Sequence, residues 1–349
     1  MPRLRGRAAS FNPTTRFDPF VLEPDPAELE PHELRNVPTR FYIDTSKSIL
    51  ARNESPDVGF TYSLNAYRGC EHGCIYCYAR PSHEYLGWSA GLDFETKILV
   101  KRTAPELLSK ALSAPSWEPQ PVALSGNTDP YQPVERRLRL SRGCLEVFLR
   151  HRNPVVIITK NGLVRRDVDL LTELAGFNLV RVMVSITTLN PELVSVMEPR
   201  TSRPADRLRT VETLASAGIP VGVMVAPVIP GLTDHEMPNI IRAAADRGAR
   251  KAGYVLLRLP GAVKPLFIHW LETELPYHAR KVLERLREMR GGRLTDSRFG
   301  RRMRGTGIWA DTIAHLFRTA CTEAGFNEPW PPLSTKAFRR FAAQPGLFE

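Results

Sequence analysis

Residues 67–78 read Tyr-Arg-Gly-Cys-Glu-His-Gly-Cys-Ile-Tyr-Cys-Tyr. Three cysteines, Cys70, Cys74 and Cys77, are spaced C-x3-C-x2-C. Soft thiolates this close together suit iron–sulfur chemistry and can hold three irons of a cubane. No fourth cysteine follows at a matching spacing, so one iron is left open for a substrate or cofactor. Gly69 and Gly73 let the backbone wrap a bulky core. Tyr76 and Tyr78 offer rings for stacking on a nucleobase.

Two other readings of the cysteines compete. A disulfide framework is disfavoured by the odd cysteine count of 5 and the length of 349 residues. A zinc site with His72 as fourth ligand is the stronger rival. But His72 lies inside the first cysteine spacing, whereas zinc sites pair one close couple with a distant second couple.

The chain resembles the radical S-adenosylmethionine (radical SAM) enzymes, whose signature is C-x3-C-x-aromatic-C. The longer match resembles the branch related to spore photoproduct lyase, the DNA repair photolyase-like proteins. It is carried by Ser-Pro-Asp-Val-Gly-Phe (55–60), the cysteine run extended to Ala-Arg-Pro (67–81), and Gly-Leu-Asp-Phe-Glu-Thr-Lys (91–97). Further on it includes Gly-Asn-Thr-Asp-Pro-Tyr-Gln-Pro-Val-Glu (126–135), Glu-Pro-Arg (198–200) and Ala-Pro-Val-Ile-Pro-Gly (226–231).

Around this motif the chain alternates apolar β-rich runs with helical patterns. Strands are expected at 60–64, 121–125, 155–159, 180–187, 219–226 and 254–259. Helices are expected at 137–150, 166–175, 205–217, 234–247, 276–289 and about 306–323. Asp234 suits an N-cap, and Gly218 and Gly248 suit C-caps. Strands alternating with helices predict a parallel sheet with right-handed crossovers. The run Val-Val-Ile-Ile (155–158) reads as buried on both faces. The fold expected is α/β, a (β/α)6 partial TIM-type barrel, which is also what the resemblance implies. An N-terminal extension spans 1–55, the core 56–300, and a C-terminal helical segment 301–349 covers the barrel.

In such folds ligands bind at the carboxyl ends of the strands. The resemblance implies S-adenosylmethionine on the open iron, cleaved to a 5′-deoxyadenosyl radical that abstracts hydrogen from a substrate. It implies that the second strand end holds the cofactor's amino group. The usual Gly-Gly-Glu is Gly126-Asn127-Thr128-Asp129 here, which shifts that role to Thr128 or Asp129. Lys160 and Ser185 match a lysine and a serine that contact the cofactor in this branch, and Arg200 offers a fork for its carboxylate. Bland readings stand beside these: a turn for Thr128-Asp129-Pro130, a loop lysine, a core hydroxyl, a loop anchor.

The lyase itself places a cysteine beside this second-strand motif as hydrogen donor. This chain has Ser125-Gly126-Asn127 there, and Tyr131 is the residue expected to relay the radical instead. Cys144 and Cys321 read as core.

The formal charge of +11, from 48 basic and 37 acidic residues, suits a polyanionic partner. Ten basic side chains lie between Arg280 and Arg304. No apolar run approaches the roughly eighteen residues of a membrane span, and a cytoplasmic setting is expected. The expected partners are S-adenosylmethionine, a one-electron reductant of flavodoxin or ferredoxin type, and nucleic acid. Three functions remain in view: a radical SAM enzyme on an unidentified substrate, a lyase-type DNA repair enzyme, and a non-catalytic metal protein that recognises nucleic acid.

Overall fold

The computed structural model describes residues 6–17, 37–124 and 126–341. Ser125, beside the second-strand motif, lies outside them.

Six parallel strands form the central sheet in chain order. They are β3 (Tyr62–Leu64), β6 (Val122–Leu124), β7 (Val155–Thr159), β8 (Val180–Ser185), β9 (Val221–Val228) and β10 (Ala252–Leu256). All six expected strands are present. β9 lies two residues further toward the C-terminus than expected, and β10 starts two and ends three residues earlier than expected, which leaves Arg258 just beyond the strand end. β2 (Leu50–Arg52) pairs antiparallel with β3 at one edge, and no described strand joins that edge to β10, so the barrel is open. A second small sheet, which sequence periodicity does not announce, contains β1 (Arg40–Ile43), β5 (Lys97–Val100) and β4 (Tyr67–Arg68).

The strands are not uniformly buried on both faces. In β7, Val155 and Ile157 are buried while Val156 and Ile158 are half-buried. An open, incomplete barrel explains this, because its inner face is not filled by closing strands.

Helices cover the sheet in turn. They are α1 (Leu92–Thr96), α2 (Ala104–Ser113), α3 (Glu135–Leu138), α4 (Leu140–His151), α5 (Val168–Gly176) and α6 (Pro191–Met197). After these come α7 (Pro204–Ser216), α8 (Met237–Ala245), α9 (Val263–Glu274), α10 (Pro276–Glu288) and α11 (Ile308–Glu323). The helix expected at 137–150 is split by Arg139, whose φ of 54° breaks the hydrogen-bond ladder. Gly218 and Gly248 end helices with φ of 73° and 88°, as C-caps require. Asp234 does not cap α8: its carboxylate accepts from the Gly231 and His235 N–H groups and pairs with Arg285.

One apolar core lies between the sheet and helices α2, α4, α5, α7 and α8, with Cys144 in it. A second gathers Cys74, Ile75 and Tyr76 with Leu257, Leu259 and residues of α9 and α10. This second core seats the cysteine loop against the carboxyl end of the sheet. No described helix is long and apolar enough to cross a membrane.

Candidate radical site

The cysteine loop runs from the end of β4 to a 3-10 helix, Arg80–Leu86. Its backbone curls three times: Gly73 N–H donates to Cys70 O, Cys77 N–H to Cys74 O, and Arg80 N–H to Cys77 O, each at 3.2 Å. Gly69 and Gly73 take φ of 80° and 66°, the left-handed region that favours glycine. At Gly73 the space is closed as well: an added Cβ would lie 2.1 Å from Arg7 Cβ.

Arg80 is the centre post of this loop. It is fully buried, and Nε donates to Cys74 O at 3.0 Å. Nη1 reaches Ala90 O and Gly91 O at 3.0 Å each, and Nη2 reaches Gly73 O at 3.1 Å. Its charge is met by the equally buried Glu95 carboxylate. Glu95 also gathers the start of the chain, accepting from the N–H groups of Arg7, Ala8 and Ala9 at 2.5, 3.2 and 3.0 Å. Residues 6–17 therefore lie against the loop, with Ala9 only 1% exposed and Asn12 paired to Asp93.

Burial is the largest cause raising the Cys70, Cys74 and Cys77 thiols above the ordinary cysteine value, and neighbouring thiols add to it at Cys70 and Cys74. Thiols whose surroundings disfavour the thiolate are the donor set that metal ligation relieves, since a coordinating cation holds them as thiolates. Among the described residues, no three His, Cys, Asp or Glu side chains converge on one ion. A cubane asks for a wider arrangement, because each thiolate takes a different iron. The residues fit such a cluster better than they fit zinc with His72. Both His72 nitrogens are engaged: Nδ1 lies 3.5 Å from Asp129 Oδ2, and Nε2 accepts from Asn161 Nδ2 at 3.0 Å. Burial holds the ring neutral, its pKa lowered to about 4.

Beneath the loop, Glu198 collects partners from four segments. Lys160 Nζ lies 3.3 Å from Glu198 Oε1 and donates to Thr187 Oγ1 at 3.0 Å and Ala226 O at 2.9 Å. Arg207, the Thr187 hydroxyl and the Tyr76 hydroxyl donate to the same carboxylate. Desolvation lowers Lys160 to about 7 and, as the largest effect, raises Glu198. Lys160 also sits 5.4 Å from the Tyr76 ring centroid, so one face of that ring already carries a cation.

The other expected residues are placed as follows. Asp129 accepts from the Thr159 hydroxyl and the Lys160 N–H at 2.7 Å each and from the Tyr131 N–H at 2.9 Å, tying two strand ends together. Thr128 is buried, and its N–H donates to Asn65 Oδ1 at 3.3 Å. Ser185 ends β8, buried, with its carbonyl accepting from Arg207 at 3.0 Å. Arg200 pairs with Glu71 at 3.0 Å, and its N–H donates to His72 O at 3.4 Å. Tyr131 is fully buried and donates to Asp167 Oδ2 at 3.1 Å.

Sequence reasoning missed Arg80, Glu95, Asn65 and the central position of Glu198. Glu95 and Glu198 lay in motifs that were quoted, but a buried carboxylate and a surface one look alike until their partners are known.

The basic stretch is less free than its composition suggests. Arg280 pairs with Glu284, Arg285 with Asp234, Arg298 with Asp296, and Arg302 with Asp57. Arg290 is buried, donating to Leu257 O and Arg301 O, and Arg304 stacks 3.9 Å from the Tyr254 ring centroid. The side chains of Lys281, Arg287, Arg293 and Arg301 make no ion pair, ring contact or hydrogen bond with a described residue.

Comparison with known proteins agrees with this fold. The sequence profile of the Radical SAM superfamily matches residues 64–244. Uncharacterized proteins of Mycobacterium tuberculosis and Mycobacterium bovis are 38% identical over 254 residues, covering 71% of this chain and 73% of theirs. One from Methanocaldococcus jannaschii is 30% identical over 179 residues, 51% of this chain and 64% of that protein. Among solved structures, spore photoproduct lyase complexed with dinucleoside spore photoproduct is similar in fold, with TM-score 0.56 and 17% identity, over 81% of this chain and 78% of that one. By motif, sheet order and matched length, the chain belongs to the Radical SAM superfamily.

Proposed function

We propose that Cys70, Cys74 and Cys77 hold a 4Fe-4S cluster with S-adenosylmethionine on its open iron, and that the substrate is nucleic acid. The observation that carries the cofactor part is a run of three cysteines, Cys70 and Cys74 buried and Cys77 half-buried, in a loop packed against the core at the carboxyl end of an open parallel sheet. When bound, the two cofactors and a one-electron reductant of flavodoxin or ferredoxin type supply a 5′-deoxyadenosyl radical that takes hydrogen from the substrate.

The chain's own residues position and insulate. Arg80 and Glu95 fix the loop path, and residues 6–17 keep water from its outer side. Thr128, four residues beyond β6, and Ser185, at the end of β8, would hold the polar end of the cofactor. Asp129 keeps the β6 and β7 ends in register beneath it. Lys160 compensates Glu198 and holds the Tyr76 ring, so Tyr76 presents its remaining face to the cofactor.

Nucleic acid is favoured by the charge of +11 and by the fold shared with an enzyme complexed with a dinucleoside. Repair by the lyase route lacks support, because no cysteine stands beside Gly126. Anaerobic protein given dithionite and S-adenosylmethionine is expected to release 5′-deoxyadenosine slowly alone, and faster with DNA or RNA. Release that no oligonucleotide accelerates would remove the nucleic-acid assignment and leave the cofactor chemistry standing.

A further inference from the structure

Arg258 follows β10 at the carboxyl end of the sheet and is half-buried. Its guanidinium has no carboxylate partner among the described residues. It contacts the Met303 sulfur at 3.6 Å and the Tyr78 ring, whose centroid is 5.8 Å away. The one acid nearby, Asp57, is already taken: it accepts from Gly300 N–H at 2.7 Å and pairs with Arg302. Arg302 also donates to Ser55, so it is pinned beside Arg258 rather than free to swing away. Burial and this second cation both work against the charge on Arg258. A desolvated guanidinium beside a like charge is a costly arrangement, and an incoming anion relieves it.

Tyr78 supplies the other half. It directly follows Cys77, is 53% exposed, and its hydroxyl donates to Gly126 O at 2.5 Å across the mouth of the sheet. That bond fixes the half-exposed ring next to the cysteine loop, with Arg258 beside it. A cation and a fixed aromatic ring side by side match one nucleotide unit, phosphate on the first and base on the second.

We propose that Arg258 and Tyr78 form the substrate anchor, Arg258 taking a backbone phosphate of a single-stranded or unstacked nucleic acid and Tyr78 stacking the adjoining base. This rests on the nucleic-acid reading above and assigns it to two residues outside the exposed arginine cluster.

The test uses anaerobically prepared holoenzyme and a fluorescent single-stranded DNA oligonucleotide, with affinity measured at several salt concentrations. For wild type, log affinity falls linearly with log salt, by about 0.7 per phosphate contact. Arg258→Gln is expected to flatten that slope by about one contact and to weaken binding about tenfold or more at fixed salt. Arg258→Lys should restore the slope but not the full affinity, since the fork is lost. Tyr78→Leu should weaken binding with the slope unchanged, and Arg280→Gln, on the exposed face of α10, should change neither. Iron content and uncoupled 5′-deoxyadenosine release report that each variant is folded and loaded. Wild-type protein that binds no oligonucleotide overturns both the anchor and the nucleic-acid reading. Wild-type binding with an unchanged slope in Arg258→Gln overturns the anchor alone. So does an Arg258→Gln protein that keeps its slope and loses 5′-deoxyadenosine release, which would make Arg258 a cofactor residue.

Discussion

Lys160 Nζ stands 3.3 Å from Glu198 Oε1 under the cysteine loop, while Arg207 holds the other carboxylate oxygen. The pair joins the end of β7 to the loop after α6, and Tyr76 rests on both members. Arg207 alone can satisfy the charge of Glu198, so Lys160 is the removable partner. Lys160→Ala is expected to keep its iron and its fold but to lose most 5′-deoxyadenosine release, because Tyr76 loses the cation that holds its ring. Normal release from this variant would show that the ring needs no such support.

Glu95 is a different case. Arg80 and Glu95 are both fully buried, and removing one partner strands the other charge. Glu95→Ala should cost roughly 3–5 kcal/mol in denaturant unfolding. It should also loosen residues 6–17, whose N–H groups lose their acceptor, so limited proteolysis should cut near the N-terminus. A variant as stable and as protease-resistant as wild type would show that the loop is held elsewhere.

Acid sensitivity has a named contributor. His83 sits against Phe94 with Nε2 near Lys97 O at 3.0 Å and Nδ1 without a partner, and burial lowers its pKa from 6.5 to about 4. The folded state favours the neutral ring, so its contribution is fully present above about pH 6.5 and is lost as pH falls toward 4. The full effect is of order 3 kcal/mol. Stability curves of wild type and His83→Gln should therefore converge or cross as pH drops through this window. Parallel curves would mean that His83 is not the titrating group.

The fold was legible where the period of the sequence was clean. Val155–Thr159 is predicted to the residue because five β-rich positions are bounded by Pro154 and the Lys160-Asn161-Gly162 turn. The cysteine motif likewise pointed to the superfamily that the sequence profile shows. What was not legible came from tertiary pairing. β1 and β5 join over a separation of 57 positions, and no local pattern signals that. The ten basic residues from Arg280 to Arg304 read as a stretch suited to a polyanion, yet Arg302 closes onto Asp57, 245 positions away, and Arg290 turns inward. Composition counts charges but cannot say which are already answered. Asp129 shows the same limit: its carboxylate is filled by strand-end donors that spacing alone does not reveal.

Arg302 gives a test of that point. Arg302→Gln should destabilise the protein by about 1–3 kcal/mol, since Asp57 is left without its cation. Arg301→Gln should cost under about 0.5 kcal/mol, as an exposed side chain without a partner. Equal effects of the two changes on thermal unfolding would contradict the assignment of Arg302 as the clasp between residues 55–57 and 298–304.

The central claim is that Cys70, Cys74 and Cys77 hold a cubane cluster, and iron analysis of protein prepared without oxygen tests it most directly. The account predicts a brown protein with about four irons per chain. Cys70→Ala, Cys74→Ala and Cys77→Ala should each lose the cluster, while Cys144→Ala and Cys321→Ala keep it. Full iron retention by Cys74→Ala, or a colourless wild-type protein loaded with zinc, would contradict it.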